Sequence, residues 1–134
     1  MGRAPERCSH PGRESGAAVA DFAMVSGLVA VLFVAVFQVG LALHIRNTLI
    51  SCASEGARVG ARAGADPADG VARTRQLIGQ SMSPRFAQDV TADVVVVDGV
   101  RVVAVRVTAP LPVLGPLGPD RALDVVGHAF LEDQ

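Results

Sequence analysis

Residues 22–43 read "FAMVSGLVAVLFVAVFQVGLAL" and carry no charge. This run limits what the chain can fold into more than any other feature. As an α-helix it spans about 33 Å, and the hydrocarbon core of a bilayer is about 30 Å thick. The alternative is a buried core helix, which needs apolar neighbours on every side. A chain of 134 residues has little left to supply them. Half of its residues are hydrophobic, yet only 4% are aromatic, and there is no Trp or Tyr. Ala and Val make up the apolar content instead, so a domain built from the remainder has a thin core. The run therefore reads as a transmembrane helix with the lipid bilayer as its partner. A secretory signal peptide would have a shorter apolar region ending in small residues at a cleavage site. Here the run is longer and continues into "HIRNTLI".

Charge does not orient the segment. Arg3, Arg7 and Arg13 precede it, and Arg46, Arg58 and Arg62 follow it, so the positive-inside count is a tie. The formal net charge is −1, which gives no argument for a nucleic-acid partner, and none is expected. Cys8 and Cys52 fall on opposite sides of the apolar run. A chain that crosses a bilayer between them cannot join them in a disulfide. "LISC", residues 49–52, has the residue types of a lipidation box, but "HIRNT" separates it from the apolar run it should follow directly.

The helical pattern continues beyond the apolar run. Ile45, Leu49, Cys52, Ala53 and Gly56 recur at spacings of three and four. Gly56, Gly60 and Gly64 then recur every fourth residue, with Ala53, Ala57, Ala61 and Ala65 beside them. Such a stripe lets another element lie close, which would offset the roughly 1 kcal/mol that each helical glycine costs against Ala. Equally, the glycines fit a fraying helix end with Gly64 as its cap.

"DPADG", residues 66–70, is a breaker and turn whose aspartates suit capping. "VARTRQLIGQSM" follows as a short helix that stops before Pro84. The strongest β signal is "VTADVVVVDGVRVVAVRVTA", with Asp98-Gly99 as a two-residue hairpin turn. Val97 then faces Val100. One face carries Val90, Ala92, Val94, Val96, Val103, Val105 and Val107 and is expected to pack on the long helix. The other carries Val95, Val97, Val100 and Val102 near the turn, an apolar tip suited to a partner. Residues 110–121 hold Pro110, Pro112, Pro116 and Pro119 and read as an extended connection. In the final segment Leu123, Val125, Gly127, Ala129 and Leu131 alternate with Asp124, Val126, His128 and Phe130, which supplies a third strand. The fold class is α+β: a long N-terminal transmembrane helix leading into a small domain with a short helix, a β-hairpin and a third strand.

No catalytic constellation emerges from these residues. The chain has no phosphate-binding glycine loop and no His/Cys set at metal spacing, and its serines lack a matching His and carboxylate. A non-enzymatic protein without cofactor or metal is expected.

The edge of the membrane run adds a specific signal. "GAAVADF", residues 16–22, resembles the cleavage motif of type IV prepilins. In that motif a glycine ends a charged leader, and the fifth mature residue is acidic. "ESGAAVADFAMV" together with "RNTLISCASEGARVGARAGA" resembles the TadE-like family more closely, over about residues 13–65. These are pilin-like minor pseudopilins of the Flp, or tight-adherence, pilus and its related secretion systems. The resemblance implies a leader over residues 1–16, a long helix over 17–65 with its transmembrane part at 22–43, and a small extracytoplasmic domain over 66–134. It implies that a prepilin peptidase cuts between Gly16 and Ala17. Asp21 takes the assembly-charge position usually held by Glu, with the same charge and one methylene less. Further implied partners are other Flp pilins and pseudopilins and the proteins of the pilus assembly platform. The leader would lie in the cytoplasm, with the chain inserted in the cytoplasmic membrane. Asp21 has a simpler reading as a helix-start carboxylate at the lipid interface, but that reading leaves Gly16 unexplained.

Overall fold

A computed structural model describes residues 14–111 and 122–132. The expected leader residues 1–13, and the prolines at 112, 116 and 119, lie outside them. The fold is α+β: a long apolar N-terminal helix, a short helix and a three-stranded antiparallel sheet. The chain divides into two units between Phe37 and Gln38. Helical residues 38–60 cluster with the sheet.

The first helix, α1, runs Glu14–Gly60. It ends five residues before the expected boundary at 65. Gly64 has a φ of +77°, a left-handed conformation that a helix cannot contain but a glycine adopts freely. The second helix, α2, runs Pro67–Ser81 and starts four residues earlier than the breaker-like "DPADG" suggests. Asp66 is its N-cap: one carboxylate oxygen accepts from the Ala68 N–H at 2.8 Å, and Asp69 Oδ2 accepts from the Asp66 N–H at 3.0 Å. Proline at the first helical position loses no hydrogen bond, since that N–H has no intrahelical partner. Gly70, Thr74 and Ile78, four residues apart, form the buried stripe of α2. A short 3-10 turn over Pro84–Ala87 follows, seating Phe86 in the core.

The strands are β1 (Asp89–Val97), β2 (Val100–Pro110) and β3 (Ala122–Phe130), in the order β1-β2-β3. The hairpin register runs from Val97 opposite Val100 to Asp89 opposite Thr108. β3 pairs with the far side of β2, setting Val125 against Val107 and Gly127 against Val105. The inner face and the outer half of α1 form one core. It includes Ile45, Leu49, Ala53 and Ala57 from the helix, Ile78 and Phe86, and Val90, Val103, Val105, Val107 and Val125 from the sheet.

One expectation about this face needs correction. Val94 and Val96 share it, yet both are exposed. The Leu131 N–H bonds to the Arg101 carbonyl and the Glu132 N–H to the Ala61 carbonyl. The level of Arg101, which pairs with Val96, is therefore the level at which α1 stops. The hairpin tip reaches beyond the helix that covers its base. On the opposite face Val95, Val97 and Val100 are exposed, while Val102 is buried.

Candidate functional site

The expected processing and assembly residues lie in the first turns of α1. Gly16, Ala17 and Asp21 are all helical and exposed, and a Cβ built on Gly16 meets no atom within 4 Å. The Gly16–Ala17 peptide bond is close to the start of the helix, where N–H groups have no intrahelical acceptor and fraying costs least. From Gly16 to Gly40, Gln38 alone is partly covered; every other side chain is exposed. These include Phe22, Leu28, Leu32, Phe33 and Phe37, each at least 60% exposed. By length and composition this helix is able to cross a membrane, which suggests a membrane anchor.

A second group of expected residues lies at the other end of α1. Gly56 and Gly60 are buried against α2. A Cβ on Gly56 would overlap the Thr74 hydroxyl and come within 2.6 Å of the Gly70 carbonyl oxygen. A Cβ on Gly60 would meet the Gly70 and Pro67 backbone at 3.4 Å. Gly64 is not part of this contact: it lies past the helix end with open space around it. Thr74 completes the crossing. It is fully buried, and its hydroxyl donates to the Gly70 carbonyl at 2.8 Å, with the Cys52 carbonyl at 3.5 Å. The hydroxyl thus has acceptors in a place where an unpaired one would be costly.

Two further glycines belong to this site, and the sequence reading assigned neither to a close contact. Gly70 is the α2 half of the helix crossing. Gly127 lies where β3 passes over α1, and a Cβ there would run into the backbone of Ala53 and Ser54. The available signal for Gly127 was a glycine inside a strand pattern, which marks a close backbone approach; Gly70 stood in "DPADG" and read as part of a turn.

Cys52 is buried within α1 on the same side. Burial pushes its thiol above the ordinary value, partly opposed by a hydrogen bond with Ser81. A buried, protonated thiol in mid-helix is a packing group. Cutting the chain there for lipidation would sever the element that carries the core. At the distal end of α1, Arg58, Arg62 and His128 line a shallow hollow with Glu132. Arg58 stands in the last helical turn, where a cation complements the negative end of the helix. Among the described residues no group of His, Cys, Asp and Glu is placed to hold a metal.

The arrangement among the described residues combines three features. Its chemistry is that of surfaces: a helix half that is apolar all round, one carboxylate near its start, and a glycine-lined crossing that fixes the domain to the other half. No curated protein and no solved structure matches the chain. The family model described as TadE-like protein matches residues 16–58, beginning at the glycine of the cleavage motif and ending two residues short of the α1 terminus. Across that segment the chain is similar to TadE-like proteins.

Proposed function

We propose that this chain is a minor pseudopilin that helps start or build a Flp-type, tight-adherence pilus or a related secretion apparatus. One observation carries the reading: Gly16 and Asp21 are spaced as a prepilin cleavage site at the start of an exposed apolar helix, inside the TadE-like segment. A prepilin peptidase trims the leader after Gly16. The new α-amino group at Ala17 has a reference pKa of about 7.7–8.0 and is largely protonated at neutral pH. Asp21 is then the fifth residue of the mature chain. In an assembly of parallel helices its carboxylate pairs with the ammonium of a neighbouring pilin. At low dielectric such a pair fixes register, because either charge alone would be costly. Asp21 also gains from the positive end of the mature helix. The leader lies in the cytoplasm, the apolar segment crosses the cytoplasmic membrane, and the sheet domain is extracytoplasmic. The protein works by packing against pilins and platform proteins rather than by catalysis.

The continuity of α1 through the cut site favours a second reading. The helix begins at Glu14 and passes through Gly16 and Ala17 without a break. An uncleaved single-pass anchor that presents the sheet domain as an adaptor or receptor would keep that helix whole. N-terminal analysis of the membrane-extracted protein separates the two. A chain that starts at Ala17 supports processing, whereas a start at Met1 or Gly2 rules it out. Asp21→Ala is expected to insert normally and fail in assembly. Normal pilus or secretion output from that variant would remove the pairing role.

A further inference from the structure

Gln38, Leu41 and Ala42 are half-buried, although all three belong to the charge-free run 22–43. The covered stripe of α1 therefore begins inside the segment that reads as membrane-spanning. Phe22 to Phe37, the part ahead of that cover, is about 24 Å long as a helix. A hydrocarbon core is about 30 Å thick. Measured from Phe22, that thickness ends near Leu41, which packs against the core of the sheet domain. The missing length has two sources. Either Asp21 is drawn into the hydrocarbon, which costs the desolvation of a carboxylate, or the end of the domain beside Leu41 descends to the lipid boundary.

The sheet has an end that suits the second source. The Glu132 N–H bonds to the Ala61 carbonyl, and Gly127 lies against Ala53 and Ser54, so β3 runs in the same direction as α1. Asp124 is about 10 Å of strand before Gly127, equal to about 7 residues of helix, which sets it beside Arg46. Ala122 is about 17 Å before Gly127, or about 11 residues of helix, which sets it beside Ala42. Charge begins at the same height on both elements. On α1 the first Arg, Asp or Glu after the run is Arg46, and it is exposed. On the sheet Asp89, Thr108 and Asp124 share one level, where Asp124 pairs with Arg106 at 2.7 Å. Toward the membrane run, the described strands add Ala109 opposite Leu123 and Pro110 opposite Ala122. Pro110 and Ala122 are exposed, Leu111 and Leu123 are half-buried, and none of the four is charged. Proline also brings no N–H that would need water.

We propose that this end of the sheet domain, formed by Pro110, Leu111, Ala122 and Leu123, rests in the headgroup layer of the bilayer that α1 crosses. The inference rests on the reading of residues 22–43 as a membrane span. Lipid is the occupant because it is continuous with the bilayer around the exposed apolar side chains of α1. The polar level at Arg46 and Asp124 then stands at the outer edge of that layer, where charged groups meet water. Asp21 stays at the opposite boundary, outside the hydrocarbon. The domain is held at the membrane by two contacts, the helix and the strand ends. The valine-rich hairpin tip, at the other end of β1 and β2, lies farthest from lipid.

The test uses the full chain with Cys8→Ser in phosphatidylcholine vesicles. The buried Cys52 stays in place, and the chain without an added cysteine sets the labelling background. Leu32→Cys, Ala122→Cys and Val97→Cys each carry an environment-sensitive fluorophore, and lipids bearing a nitroxide act as quenchers. The Ala122→Cys label should shift to the blue and lose emission to a headgroup nitroxide. The Val97→Cys label should keep its aqueous emission. The Leu32→Cys label should be quenched by a nitroxide deep in the acyl chain, which checks the span itself. Pro110→Cys, paired with Ala122, repeats the measurement if circular dichroism shows that Ala122→Cys does not fold. A quenched Leu32→Cys label with unquenched labels at positions 110 and 122 overturns the proposal and leaves the span standing. Equal quenching at positions 97 and 122 also overturns it. An unquenched Leu32→Cys label removes the span, and the proposal with it.

Discussion

Within one helix, the large apolar side chains of residues 16–37 are exposed, while residues 45–61 bury Ile45 and Leu49 together with a run of small residues. Over residues 16–37 the bulky positions, Phe22, Leu28, Leu32 and Phe33 among them, are exposed. Between residues 45 and 61 Ala53, Ala57 and Ala61 are buried with Gly56 and Gly60. In water the first half would be unstable; in lipid it is at home, since the hydrocarbon is as apolar as its side chains. The second half meets protein. There, the closest neighbours are the backbones of α2 and β3, and a small side chain is what admits a backbone. Small residues along α1 thus mark where another backbone comes close.

Three substitutions test that contrast, the first two each paired with a counterpart in the apolar half. With no Trp or Tyr in the chain, unfolding of the sheet domain is best followed by circular dichroism in urea or by hydrogen exchange of β2 amides. Leu49→Ala should have the largest effect. Leu49 is 0% exposed in the shared core, and its truncation should cost about 2–5 kcal/mol. Leu32→Ala, at 62% exposure, should leave the domain within about 0.5 kcal/mol of wild type. Equal losses at the two leucines would break the contrast.

Gly127→Ala comes next. One added carbon meets the Ala53 and Ser54 backbone, so strand and helix must move apart, at about 1–3 kcal/mol. Gly27→Ala meets nothing within 4 Å and should leave the domain unchanged. A neutral Gly127→Ala would show that the sheet does not need this close approach. The smallest effect is expected from Asp66→Ala. It removes the N-cap of α2 and should cost about 1 kcal/mol, seen first as faster exchange at the amides of residues 68 and 69.

The hairpin was readable because each of its determinants is local. Asp98-Gly99 sets the turn, the two-residue period sets the faces, and together they give every pair from Val97–Val100 to Asp89–Thr108. The long apolar helix was readable for the same reason. Asp66 was legible as a capping residue, but "DPADG" as a whole resembled a break, because proline ends helices in mid-sequence and begins them at the first turn. The placing of Val94 and Val96 against α1 assumed that the covering helix was as long as the strand. Gly64, read as part of the packing stripe or as a cap, lies past the helix in a left-handed conformation.

By itself the sequence determined where α1 would be apolar, the register of β1 on β2, and the Gly16–Asp21 signal beside the membrane run. These depend on residues close together in the chain, and short-range sterics and periodicity decide them. Only the tertiary structure decided that β3 lies on the far side of β2, that Gly70 and Gly127 are the partners of α1, and that the hairpin tip stands clear of the helix. A glycine in isolation records that a side chain is missing, not which backbone fills its place. That neighbour is chosen by how helix and sheet lengths match in three dimensions.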